Sequence, residues 1–354
     1  MKIIQFVHTL TVGDAISGEV LLIDRLLKEF GKVSEIVALH AHPDLKDKVS
    51  IFDPSMHYNE DTMLLLHYSI ASPQNSFFVN CNRSKRALIY HNITAAHWFE
   101  RYNYSVTAAL IAARAELKSV AAVADFLLAD SSFNAEELRS IADSKDISVL
   151  PLALDPTRWN VPANPGIVAA MRGHGGKNLL HVGRIAPNKK LEDIIKAFYF
   201  YHHKINRKSK LWLVGSDIDT EIYSFELREL VDSLSLRDAV TFTGPVADTE
   251  LKAFFEECDL YLCMSEHEGF CVPLIEAMYF KKPIIAYASS AVPETLGDAG
   301  VIISEKLPEK TAELIEILIA DPALREQLTS RAQLRLNEYA EDRFRDHLKR
   351  IFSF

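Results

Sequence analysis

The sequence predicts two doubly wound α/β domains in series. Three observations carry that prediction. The 354-residue length gives room for two domains of ordinary size, each with its own core. Short β-rich runs alternate with helical periods along both halves, as βαβ units around a parallel sheet require. Between the halves the stretch LDPTRWNVPANPGI, residues 154–167, breaks the alternation with prolines, asparagines and a glycine.

Taken in order, KIIQFVHTL reads as a strand and EVLLIDRLLKEFG as the helix after it. ALIYHNI, FLLADS and ISVLPLAL are further strands, with NAEELRSIA a helix between the last two. Beyond the break the strands NLLHVGRI, KLWLVGS, AVTFTG, LYLCMS, PIIAYA and GVIIS alternate with the helices LEDIIKAFYFYHH, SFELRELVDSL, TELKAFFEEC and PLIEAMYF. The ending, from Glu309 to Phe354, is mostly helical, with apolar residues at three- and four-residue intervals. The expected division is 1–160, 161–335 and a C-terminal helix, 336–354, packing back on the first domain. No repeat of about 20–50 residues interrupts this pattern.

Composition narrows the function classes. With 48% hydrophobic and 25% charged residues, the chain is neither disordered nor fibrous. A net charge of −9 excludes a general nucleic-acid binder, which needs a dense basic surface to displace phosphate counterions. The apolar run at the N-terminus is too short for a secretory signal, and no stretch approaches the roughly 18 apolar residues of a spanning helix. Cys81, Cys258, Cys263 and Cys271 form no CxxC pair and read as reduced thiols. A cytoplasmic protein acting on small ligands is the expectation.

Ligands of such sheets bind beyond the carboxyl ends of the strands, so the loops there carry the chemistry. After NLLHV come Gly183, Arg184 and Lys189, a pliant backbone followed by a planar fork and a compact ammonium, both suited to diphosphate oxygens. A solvated Arg and Lys would look the same locally. After LYLCMS, the stretch EHEGFCVPLIEAM sets Glu268 and Glu276 seven residues apart, Glu268 in the loop and Glu276 expected in the first helical turn after Pro273. A helix start favours phosphate, with Gly269 permitting close approach. An ionised carboxylate only accepts hydrogen bonds and suits a vicinal diol, so two of them fit a ribose and a transferred sugar. The plainer reading has Glu276 complementing the helix dipole and Glu268 in water.

The motifs GRIAPNKK, LWLVGSD, VTFTG, SEHEGFCVPLIEAM and KPIIAYASSAVPE together resemble the C-terminal half of family 4 glycosyltransferases, retaining enzymes of the GT-B architecture. VGDAISGEV, HYSIAS, YHNIT and ADSSFNAEEL extend the resemblance more loosely over the first half. It implies two Rossmann-like domains facing across a cleft, the first on the acceptor side and the second binding a nucleotide sugar. It further implies that Arg184 and Lys189 bind the donor diphosphate, Glu268 the donor sugar and Glu276 the ribose. Backbone at Phe270, Cys271 and Val272 would hold sugar or phosphate, and Gly215 and Gly244 would border the nucleobase. In the first half the loop at Gly13 would face diphosphate and acceptor, and His91, matching a family histidine, would contact the donor sugar. His67 is the second, lesser histidine candidate; either ring could equally be a packed residue. Lys190 and Cys271 depart from the family, which usually has glycine at both positions.

Other motifs are set aside. Asp217 and Asp219 spell DxD, but the two cations already serve a leaving phosphate, and the triplet reads as a solvated loop with no metal expected. RGHGGKN imitates a P-loop tail, yet a strand follows it where a helix should, and it reads as a flexible surface loop. The helix with Val106, Leu110, Ile111 and Leu117 reads as a core face. His97 and Trp98 serve either the acceptor side or packing.

The sequence reading is therefore a metal-independent hexosyltransferase without cofactor, moving a sugar from a nucleoside diphosphate, UDP-glucose as the best choice, to a glycan or lipid-linked oligosaccharide. A peripheral contact at the inner membrane face accompanies the lipid-linked acceptor. The alternatives are an epimerase of the same architecture and a non-catalytic nucleotide-sugar-binding subunit. A nicotinamide oxidoreductase ranks last among the alternatives because the GxGxxG fingerprint is missing.

Overall fold

The computed structural model describes residues 2–142 and 146–352. Contacts gather the chain into two compact units, Met1–Ala96 with Ser105–Ala153 and Glu341–Phe354, and His97–Tyr104 with Leu154–Ala340. The division therefore falls at Ala153/Leu154 instead of at 160, and the segment His97–Tyr104 packs with the second unit. Arg101 pairs with Glu226, and the Tyr102 ring meets Tyr223 edge-on at 5.4 Å.

The first unit holds β1 (Lys2–Leu10), β2 (Val33–Ala41), β3 (Ser50–Ile51), β4 (Thr62–Tyr68), β5 (Lys85–Tyr90), β6 (Phe126–Ala129) and β7 (Ile147–Val149). They form a parallel sheet in the order β3-β2-β1-β4-β5-β6-β7. Every residue of β4 is buried, as expected for a strand covered on both faces. Helix Ala15–Glu29 follows β1, its first turn capped by the Asp14 carboxylate accepting from Ser17 N–H at 2.9 Å. Helix Glu341–Phe352 buries Phe344, Leu348 and Phe352, one stripe at four-residue spacing, in the cluster containing Leu22, Ile23 and Leu26. Burying such a side chain contributes about 1.5–3 kcal/mol. In helix Tyr104–Val123, Leu110 and Leu117 are buried, but Ile111 is 56% exposed and does not belong to the core face the sequence suggests.

The second unit holds β8 (Asn178–Val182), β9 (Lys210–Val214), β10 (Val240–Gly244), β11 (Leu260–Cys263), β12 (Ile284–Tyr287) and β13 (Val301–Ile303). This sheet is also parallel, ordered β10-β9-β8-β11-β12-β13. The strand order reverses between β1 and β4 in one sheet and between β8 and β11 in the other. Such switch points open a crevice at the strands' carboxyl ends, where ligands bind. No described helix is long and apolar enough to cross a membrane.

Candidate active site

The loops after β8 and β11 flank the second unit's switch point and are laced together. Glu266 N–H donates to the Asn188 carbonyl at 2.8 Å, and the Asn188 side-chain amide donates to the His267 carbonyl at 3.0 Å. Ser289 Oγ donates to the Ser265 carbonyl at 2.6 Å, and Lys306 bridges Glu266 and Asp193 at 2.7 and 3.0 Å. Both loops are thereby held in place before any ligand arrives.

In this frame Lys189 Nζ lies 2.7 Å from Glu268 Oε2, their side chains 20% and 9% exposed. Burial alone would neutralise each, yet each keeps the other charged. Burial pulls the Lys189 ammonium down, but Glu268 lifts it above the usual lysine value. Burial pushes the Glu268 carboxyl up, but Lys189 and a Ser265 hydrogen bond bring it below the usual value. The result is an enclosed ion pair at the crevice. Arg184 is exposed and donates to the Ile218 carbonyl at 2.9 Å; among the described residues it has no carboxylate partner.

Glu276 is the fifth residue of helix Val272–Tyr279, one step beyond the first turn expected for it. It is 4% exposed, and burial raises its carboxyl above the usual value against the pull of Arg158. Arg158 Nη1 donates to Glu276 Oε1 at 2.8 Å, and Arg158 Nε donates to Asp248 Oδ1 at 2.8 Å. Sequence reasoning missed Arg158, because the stretch around it has no periodicity and reads only as a break. Phe270 is buried edge-on against Tyr339 at 5.5 Å, and its carbonyl accepts from Thr295 Oγ1.

Cys271 caps the helix at φ 81° and Lys190 precedes another helix at φ 53°. Both positions where glycine is the family habit are thus left-handed here, which costs a side-chain-bearing residue roughly 1–2 kcal/mol. Gly215 has a different reason to be glycine, since a Cβ there would stand 1.9 Å from the Gly183 carbonyl oxygen. That contact explains it through packing alone. Gly244 has φ 72° with open space around it. Asp217 and Asp219 lie in the loop that receives Arg184. The RGHGGKN loop is more tightly built than expected: His174 is bonded to the Lys208 carbonyl at 2.9 Å and to Asn178 at 2.8 Å, and a Cβ on Gly176 would strike Lys208 backbone.

The first unit's switch point is organised differently. Gly13, at φ 79°, turns the chain after β1 into the helix carrying Glu19. His67 on β4 and His91 just after β5 are both buried, their side chains 0% and 1% exposed. Gln5 uses its amide N–H on the Val20 carbonyl at 3.1 Å, so its oxygen accepts from His67 Nε2–H at 3.0 Å. His67 Nδ1 is then an acceptor, taking the Nε2–H of His91 at 2.9 Å, and His91 Nδ1–H donates to Asp130 at 3.1 Å. Read along this chain, His91 carries both protons. Burial pulls its imidazolium down, but Asp130 more than compensates and raises it to about 9, whereas burial keeps His67 well below the usual histidine value. Glu19 stands 3.5 Å from His91 Nε2, neither oxygen has a hydrogen-bond partner among the described residues, and burial raises its carboxyl to about 8. His91 therefore presents no free ring nitrogen to a sugar, and neither histidine opens to solvent as a strand-end residue would. Glu19 and Asp130 were not singled out from sequence, although Glu19, an acid in register with Ile23 and Leu26 on the buried stripe, was a visible anomaly.

Among the described residues two trios have metal-ligating atoms within 4.8 Å: Glu19, His67 and His91, and Cys263, Glu268 and Cys271. In the first the imidazole rings are nearly coplanar, 9° apart with centroids at 5.1 Å, so their nitrogens aim at each other instead of converging on a third atom. In the second the Lys189 ammonium already occupies the cation's place on Glu268. The two sulfurs lie 3.9 Å apart as free thiols.

Residues 172–335 match the family described as glycosyl transferases group 1. The D-inositol 3-phosphate glycosyltransferase of Kineococcus radiotolerans is 28% identical over 238 residues, 62% of this chain and 54% of that protein. The GDP-mannose:cellobiosyl-diphosphopolyprenol alpha-mannosyltransferase of Xanthomonas oryzae pv. oryzae is 25% identical over 189 residues, 51% of this chain and 48% of that one. The chain thus spans about half the length of these curated relatives. The crystal structure of Anabaena HepE with UDP and glucose superposes with a TM-score of 0.77 at 16% identity, covering 100% of this chain and 99% of that one. The chain has the GT-B fold, and its residues 172–335 are similar to the group 1 glycosyl transferases.

Proposed function

We propose that the chain is a family 4 retaining hexosyltransferase that moves a sugar from a nucleoside diphosphate to a glycan or lipid-linked oligosaccharide in polysaccharide biosynthesis. The observation that carries this is the Lys189–Glu268 pair at the switch point between β8 and β11. An enclosed ammonium beside an enclosed carboxylate matches a diphosphate joined to a hydroxyl-bearing ring. UDP-glucose is the preferred donor, a choice supported by the UDP and glucose in the HepE crystal. The mannosyltransferase that acts on a diphosphopolyprenol supports a lipid-linked acceptor, and such an acceptor brings a cytoplasmic enzyme to the inner membrane face.

In this reading Lys189 neutralises charge that grows on the leaving diphosphate, a role in which one donor typically contributes about 3 kcal/mol. Arg184, tethered only to a carbonyl, swings to the same oxygens. Glu268 accepts a hydroxyl of the donor sugar and Glu276 one of the ribose. Attack comes from the face the leaving group departs, a donor phosphate oxygen taking the acceptor proton. With two cations on the diphosphate, no divalent metal is needed. His91 serves as a positioning residue, a buried cation that fixes the backbone after β5.

The test is calorimetric titration with UDP, GDP and ADP, followed by transfer from UDP-glucose in the presence of a chelator, with the product anomer read by NMR. Absence of nucleotide binding would sink the proposal. An inverted product would sink retention alone, and activity abolished by the chelator would sink metal independence.

A further inference from the structure

We infer that Arg158 is a positioning residue for nucleoside recognition: it holds one oxygen of Glu276 and leaves the other to accept a ribose hydroxyl. The inference rests on the reading of Glu276 as the ribose ligand.

Three elements meet at this guanidinium. Arg158 lies in the stretch joining the two halves of the sequence, Asp248 opens helix Asp248–Glu257 after β10, and Glu276 sits in the helix after β11. The fork spends its Nε and Nη2 on Asp248 Oδ1, at 2.8 and 2.6 Å, and its Nη1 on Glu276 Oε1, at 2.8 Å. Its base is fixed as well. Trp159 is buried against Phe255 and Phe280, with ring centroids at 6.1 and 4.9 Å, and the Arg158 guanidinium lies 4.8 Å over the Trp159 ring. One guanidinium thus holds both acids at once.

The chemistry requires such a partner. A carboxyl as enclosed as Glu276 tends to be neutral, and Asp248 nearby adds a like charge; Arg158 is the cation that opposes both. A neutral carboxyl would offer a proton where a ribose hydroxyl needs an acceptor. Because Asp248 follows Gly244 at the end of β10, the loop assigned to the base, Arg158 also ties the ribose ligand to the base-flanking loop. A lysine, with one point of charge, could not span both acids.

The test compares binding of UDP and 2′-deoxy-UDP to the full-length chain by calorimetry, at about pH 6 and about pH 8, after thermal unfolding confirms that each variant folds. The titratable groups facing Arg158 are Glu276, Asp248 and Asp155. Arg158→Met should weaken UDP about tenfold or more, the loss being larger at the lower pH, and should abolish the preference for UDP over its deoxy form. Glu276→Gln should abolish that preference too, the double variant should lose no more than either alone, and Arg158→Lys should recover part of the loss. Should Arg158→Met fail to fold, Arg158→Lys carries the test, and wild-type binding by it overturns the inference. If Arg158→Met keeps wild-type affinity and preference while Glu276→Gln loses both, Arg158 has no such role. If Glu276→Gln itself keeps both, the ribose reading falls and takes this inference with it.

Discussion

The two switch points solve one electrostatic problem in opposite ways. Between β8 and β11 a cation and an anion face each other as a single enclosed ion pair, with no further charged group among the described residues drawn into it. Around β1, β4 and β5 the charges are sealed: a chain from Gln5 through His67 and His91 to Asp130 uses every ring nitrogen internally. The difference teaches that polar groups at a topologically favoured position do not by themselves make a binding surface. Enclosure decides whether they meet a ligand or each other.

That comparison can be broken experimentally, beginning where the effect is largest. His91→Ala leaves Asp130 buried without its cation, and removing one member of a buried pair typically costs about 3–5 kcal/mol. Denaturant unfolding should show that loss, while UDP binding by the folded fraction persists; an unaltered midpoint would mean the histidine chain is not a buried charge. Lys189→Ala should lower kcat by roughly 10²-fold or more in the folded fraction and, because it leaves the enclosed Glu268 without its cation, should lower the unfolding midpoint as well. Near-normal turnover would remove Lys189 from the chemistry.

A pH series sharpens the contrast. Glu19 and His91 both have folded-state values raised, to about 8 and about 9, above their ordinary 4.5 and 6.5. Each therefore contributes stability that is complete below its ordinary value and is lost as pH rises through its folded value. Thermal stability should fall from roughly pH 4.5 to 9, most steeply between about 6.5 and 8 where the two ranges overlap, and His91→Gln should flatten the slope above about pH 6.5; a wild-type curve level across this window would refute the assigned protonation. The smallest effect concerns Lys190. Glycine there relieves about 1 kcal/mol of left-handed strain and forfeits a partly exposed pair with Glu192, of roughly 0.5 kcal/mol, for a slight net gain in midpoint.

Legibility in the sequence followed burial pattern. All six strands of the second unit could be read, because each is a short apolar run closed by glycine, serine or a polar turn. In the first unit β2 was passed over: VSEIVALHA begins with exposed Val33 and Glu35 alternating with buried neighbours, and its polar positions dilute the apolar signal. Lys189, Glu268 and Glu276 could be picked out because each follows a strand within a spaced motif. Arg158 and Asp130 could not, since their partners lie 118 and 39 residues away along the chain and no periodicity links them.

The amino-acid order alone determined the alternation of strand and helix, the parallel sheets it implies and the acids and bases at the strand ends, because these depend on neighbours a few residues apart. Tertiary structure alone decided which of those groups are charged and which are available. Protonation depends on desolvation and on partners brought together from distant segments, and only the folded chain could set His91 against Asp130 and Lys189 against Glu268.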